Sequence, residues 1–306
     1  MTPKDVVGPL ARKIIASGQK QQRQKVVDLS TVRKTRDEMG QIISRAIPSG
    51  DVGAKHPGFA AYIYVTNWVL GVVEAAQDLR DLWRHVDRIA KAEEDYTPDG
   101  PPMSPITRSM FCAWSLWDLT VGVKRESLGS ILLAIGRVQG MDPLFLGVLE
   151  KLVESRLGLH VHEGTTGERI TLRELGTGEL RECICPAGYD GEHGEVWLAR
   201  VLGPPVSAFH ESIVVTTPYV IQNPGPTGWQ KYLERTLPKI GANDPRTAYT
   251  RLMKRGLDER FWFEYVFEAY ASHRAEAVFL MGLPDIPESR PHSRINADRH
   301  ELSIGG

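Results

Sequence analysis

The chain has 306 residues, 42% of them hydrophobic and 25% charged, and a net charge of −1. That is enough apolar material for about two domains of ~100–200 residues each, so a core needs neither disulfides nor metal. Near-neutrality excludes a whole-protein nucleic-acid footprint, and no run reaches the ~18 apolar residues that cross a bilayer, so no membrane partner is expected. Three cysteines occur, Cys112, Cys183 and Cys185. Two thiols two residues apart on one strand rarely meet disulfide geometry, and the N-terminus lacks an apolar core of signal-peptide length. A cytoplasmic setting is the expectation.

Residues 3–46 read as two helices around the polar break GQKQQRQK, with ten Lys or Arg against four Asp or Glu. Arg12, Lys13, Lys20, Arg23, Lys25, Arg33, Lys34 and Arg36 are the candidates for contacting phosphates; the competing reading is a solvated basic face. A turn over 48–58 leads to a single helix from Phe59 to Tyr96, roughly 55 Å long. Val69, Val72, Val73, Ala76, Leu79, Trp83, Val86 and Ala90 recur at helical spacing along it, with Glu74, Asp78, Asp81 and His85 on the opposite, solvated face. The segment TPDGPPMSP is a loop. Helices follow over Ile106–Val121 and Ser127–Arg137, and a further one is capped by Asp142 with Pro143 in its first turn. Amphipathic helices of this kind bury their faces together, which makes residues 1–156 a helical bundle.

Between Leu157 and Ile221 the pattern changes. Leu157, Leu159 and Val161 alternate with Gly158, His160 and His162; turns at Gly164–Gly167 and Gly176–Gly178 separate strands starting at Ile170 and Leu180. Two more strands are read over Glu195–Leu202 and Ile213–Ile221. Residues 157–222 therefore read as an SH3-like β-barrel. Residues 223–284 read as helical again, with Glu259–Met281 the clearest helix, and 285–306 as an extended tail. The fold class expected is α+β, mainly helical.

The candidate chemistries are few. His160, His162, Cys183 and Cys185 make a permitted tetrahedral zinc set, but on the first and third strands, which are not neighbours in a simple meander. Unlinked histidines and half-buried thiols are the plainer reading, and no cofactor is expected. Arg80 and His85 match the Arg-x4-His pattern of HEPN ribonucleases, in which the histidine does acid–base chemistry on a 2′-hydroxyl. On one continuous helix, residues five apart point ~140° away from each other. Asp118, among aromatics in FCAWSLWDLTVG, is read as a structural hydrogen-bonding group rather than an acid or base. The chain has no GxxxxGK[ST] loop, GxSxG elbow or HExxH.

The stretch from WSLWDL through LRELGTGEL and EVWLARVL to TTPYVI resembles uncharacterised bacterial proteins that accompany the SEC-C zinc motif. Cys183-Ile-Cys185 with His193 is similar to the start of that motif, whose second half the chain lacks. The resemblance implies a bacterial origin and a helical segment followed by an SH3-like barrel, and it carries no active site. Together these readings make the chain a non-enzymatic binding or regulatory protein whose partner is a protein or a nucleic acid. The alternatives are a HEPN-type ribonuclease and a zinc-stabilised nucleic-acid-binding adaptor.

Overall fold

Helix starts and stops follow the local chemistry of the chain. In the computed structural model, which describes residues 7–22, 56–75, 82–205 and 210–292, α1 spans Pro9–Gln22, α2 Pro57–Ala75, α3 Trp83–Tyr96 and α4 Arg108–Ala113. A π-helical turn over Trp114–Asp118 and a two-stranded ladder, β1 (Thr120–Val121) with β2 (Glu126–Ser127), come next. Then follow α5 (Leu128–Gln139) and α6 (Pro143–Glu154). The Ser127 side chain caps α5 by accepting from Ser130 N–H, and Gly140 ends that helix at φ 68°. Asp142 caps α6 through Leu144 and Phe145 N–H, with Pro143 at its first position, as the sequence predicts.

The chain divides into two compact units. The first comprises 1–94, 113–155 and 202–210; the second comprises 95–112, 156–201 and 211–306. In the first unit, Phe145 is fully buried and receives Tyr64 and Trp68 edge-on, at 6.3 and 5.0 Å between ring centroids. The Glu126 carboxylate accepts from Leu10 N–H (3.0 Å) and Ala11 N–H (3.2 Å), so an acidic group sits at the positive end of α1.

Two helix expectations fail. Phe59–Tyr96 is not one continuous helix, because Leu82 lies in a turn from which α3 starts afresh. Leu82, His85, Ala92 and Tyr96 are buried, so His85 falls on the inward stripe of α3 instead of the solvated face. The helix expected over Ile106–Val121 ends early, tightening into the π-turn and then extending into β1.

The second unit is built on a curled, open sheet of nine strands in the order β10-β11-β9-β6-β3-β4-β5-β8-β7. Its strands are β3 Gly158–Thr166, β4 Arg169–Glu174, β5 Leu180–Ile184, β6 Val196–Ala199, β7 Val201–Leu202, β8 Ser212–Val214, β9 Tyr219–Asn223, β10 Tyr270–His273 and β11 Val278–Met281. The first three predicted strands appear as β3, β4 and β5. Each of the last two divides in two, with breaks at Arg200 and at Val215–Pro218. A free-standing five-stranded barrel over 157–222 is not what forms, because β10 and β11, from the region read as helical, extend the same sheet. The predicted helix Glu259–Met281 is helical only in α9 (Phe261–Ala269), then turns into the β10–β11 hairpin. The parallel pairing of β11 with β9 places Phe279 against Val220, and β9 pairs antiparallel with β6. The protein is therefore mixed α and β.

Pro226–Thr236 forms α7, a 3-10 turn follows at Leu237–Ile240, and Pro245–Arg255 forms α8. Asp244 caps α8 through Thr247 N–H at 2.9 Å. The helix is pinned from its buried side: Tyr249 Oη accepts from Leu159 N–H at 3.0 Å, and Trp262 Nε1 of α9 donates to Leu252 O at 2.9 Å.

Candidate functional site

Directly paired residues of neighbouring strands share a face of the sheet. His160 pairs with both Glu174 and Trp197, and His162 pairs with Leu172. These groups therefore share the face whose core is Ile170, Leu172, Cys183, Trp197, Ala199, Val214, Val220, Ala277 and Phe279. Two imidazoles and a carboxylate thus lie on an apolar face.

At one end of β3 lies a buried polar cluster. Arg156 grips Glu174 with both ends of its guanidinium, Nη1 to Oε1 at 2.5 Å and Nη2 to Oε2 at 3.0 Å. Thr177 Oγ1 donates a third bond to Oε2 at 2.7 Å, and the guanidinium also lies 4.8 Å from the centroid of the Tyr249 ring. Three donors hold the Glu174 carboxyl down at about 2 against the opposing effect of burial. Burial acts the other way on His160, which is 4% exposed: desolvation of the charged imidazole pushes its pKa down to about 4, with Glu174 only partly offsetting this. His160 is hydrogen-bonded to the Ala199 backbone, and its Nε2 has no hydrogen-bond partner. A Cβ on residue 158 would fall inside contact distance of both His160 Nε2 and Glu174 Oε1. Glycine at 158 is what lets these two groups approach the strand.

At the middle of β3, His162 takes a different neighbourhood. Its ring lies 5.4 Å from Trp197 between centroids, and Thr165 Oγ1 is 3.3 Å from Nε2. The Glu195 carboxylate accepts from Tyr189 Oη at 2.8 Å and from Trp197 Nε1 at 3.0 Å, which ties the 185–194 loop to the sheet. Desolvation lowers the pKa of His162 as well.

The residues singled out in the sequence are distributed as follows. His160 belongs with Arg156 and Glu174; His162 belongs with Trp197 and the 185–194 loop. Cys183 is fully buried in the apolar cluster, with its thiol pushed up to about 12 by desolvation, and Cys185 packs against that cluster from beside it. Strand β4 lies between β3 and β5, and among the described residues no group of three or more His, Cys, Asp or Glu is arranged to hold a metal ion. His85 is fully buried, its Nε2 lies 2.9 Å from Glu126 O, and desolvation lowers its pKa. Arg80, its partner in the ribonuclease pattern, lies outside the described residues, as do Asp78 and Asp81. Asp118 closes the π-turn and is buried. Among the basic N-terminal residues, Arg12, Lys13 and Lys20 belong to α1; Arg12 and Lys13 are exposed, and Arg12 Nε donates to Val7 O at 2.7 Å. Arg23, Lys25, Arg33, Lys34 and Arg36 lie outside the described residues.

Sequence reasoning missed Glu174, Arg156 and Tyr249. A signal existed for the first: Ile170, Leu172 and Glu174 continue one alternating series, so a charge occupies an inward position. No local pattern links it to Arg156 or to Tyr249, which arrive from other elements. No family model, no curated protein and no solved structure matches the chain. Among the described residues, no helix is long and apolar enough to cross a membrane.

Proposed function

We propose that the chain is a non-catalytic binding or regulatory protein whose partner is a protein or a nucleic acid. The observation that carries this reading is the state of the Arg156–Glu174–His160 cluster. A general acid or base works best with a pKa near the operating pH. Here the carboxylate is held at about 2 by Arg156 and Thr177, and the imidazole is driven to about 4 by burial. Both are displaced away from neutrality, and both serve packing: the cluster joins the start of β3 to the end of β4 and to α8. His85 is engaged in the same manner, inside the first unit against Glu126 O.

The test is incubation of pure protein with single-stranded and structured RNAs, with and without magnesium. The RNAs are expected to remain intact. Cleavage that disappears in His85→Ala, with the fold retained by circular dichroism, would overturn the reading in favour of a ribonuclease.

A further inference from the structure

We infer that the exposed face of α8 is a nucleic-acid-binding surface, an inference that rests on the binding reading above and names its partner. The helix sorts its residues into four rows at spacings of four, which is one row per quarter of the helix circumference. Ala248 with Leu252, and Tyr249 with Met253, form the two inward rows and are 0–4% exposed. The two outward rows are Arg246–Thr250–Lys254 and Thr247–Arg251–Arg255. Arg246 and Arg251 are exposed and the other four half-buried. This face thus carries four cations, two threonines and no acid. The flanking 3-10 turn adds exposed Lys239.

An ordinary solvated helix face mixes both signs of charge. Here no acidic residue occurs from Pro245 to Leu257. The carboxylates that flank this stretch in sequence accept from neutral donors at its two ends. Asp244 accepts from Thr247 N–H and Oγ1 at 2.9 and 2.6 Å, and Asp258 accepts from Arg260 N–H at 2.9 Å. The stretch from Pro245 to Leu257 thus carries positive charge alone, although the chain as a whole is near neutral.

A polyanion complements such a face, and the residue types point to one kind. A membrane surface would need apolar side chains to insert beside the cations, and the six outward residues include none. A protein partner draws its affinity from buried aromatic and aliphatic anchors, which are also missing from these rows. Arginine forks and threonine hydroxyls are donors suited to phosphate oxygens. Contacts of this type go to the backbone, so binding should be sequence-tolerant and strongly salt-dependent.

The experiment uses the full chain and fluorescence anisotropy with two fluorescein-labelled probes, a mixed-sequence DNA duplex and a mixed-sequence single-stranded RNA, over a series of salt concentrations. The inference predicts that R246Q/R251Q/K254Q weakens binding at least tenfold at 100 mM salt. It also predicts that the slope of log affinity against log salt flattens by about 2–3, since each lost phosphate contact removes ~0.7–0.9. The charge-conserving R246K/R251K should retain most of the binding, and K91Q/R108Q/R137Q, with the same loss of charge at exposed positions elsewhere, should bind as the wild type does. Unfolding in urea confirms that each variant is folded. Equal binding by the α8 triple variant, or equal weakening by the control, would overturn the inference. So would an oligoglutamate probe bound as tightly as the nucleic acids, which would assign the face to an acidic protein segment. Intact probes with no rise in anisotropy would overturn this inference alone, whereas cleaved probes would overturn the non-catalytic reading.

Discussion

Replacing Glu174 by alanine is expected to remove about 3–5 kcal/mol of folding stability, because breaking a buried ion pair from one side strands the other charge. Arg156 retains only 17% of its side-chain exposure and would keep its guanidinium beside Tyr249 with both carboxylate bonds gone. Thr177 would lose its acceptor in the β4–β5 turn. A native state is commonly stable by only ~5–15 kcal/mol, so this one change removes a large part of the margin. Urea unfolding at pH 7 measures it. Glu174→Gln should cost less than Glu174→Ala, since the amide can still accept from Arg156. The pair Arg156→Met with Glu174→Leu should recover most of the loss, because two apolar groups strand no charge. A wild-type midpoint for Glu174→Ala would show that the cluster does not hold the sheet to α8.

Stability should fall by about 3 kcal/mol between pH 6.5 and pH 4 through His160 alone. Its pKa drops from the ordinary 6.5 to about 4 on folding. As the pH falls through 6.5, the unfolded chain binds a proton at this position that the folded chain refuses. The unfolded state gains in that window, and the loss stops once the folded imidazole also protonates, near pH 4. Each tenfold in proton affinity is worth about 1.4 kcal/mol, which sets the size of the effect. The groups facing His160 are Glu174, Arg156 and Arg181; the two arginines act with burial and Glu174 against it. Glu174 itself loses its contribution at lower pH, as acidity passes from its ordinary 4.5 down through about 2. The two windows overlap only between about pH 4.5 and pH 4. In His160→Gln, urea midpoints should be flatter between pH 6.5 and 4 than in the wild type; identical profiles would contradict the assignment.

Local chemistry in this chain was legible, and long-range pairing was not. Asp142-Pro143 declared the start of α6, and the alternation Leu157–Leu159–Val161 with the glycine turns declared β3, β4 and β5. The run from Phe261 to Met281 hid a helix and a hairpin inside one apolar segment. Val278, Phe279 and Leu280 are buried on both faces, so β11 has no alternation to read, and its parallel partner β9 lies more than fifty residues earlier. His85 was misplaced because its face was counted from Glu74, Asp78 and Asp81, whereas α3 begins only at Trp83, after the turn at Leu82. The cluster itself needs Arg156, the end of β4 and α8 together, and the one signal for it in the sequence, the inward position of Glu174, went unread. The one-signed face of α8 was visible as thirteen residues without an acid, once the buried rows told which side faces out.

On the proposed reading, the buried histidines are structural groups and take no part in proton transfer near neutrality. Titration of the imidazole resonances by long-range proton–nitrogen correlation, assigned with His85→Gln and His160→Gln, tests it directly. His160 should stay neutral from pH 9 to about pH 5, and His85 should titrate below the ordinary 6.5, in line with the desolvation of both. A folded protein in which either imidazole titrates near pH 7 would place an active acid–base group inside the fold and contradict the account.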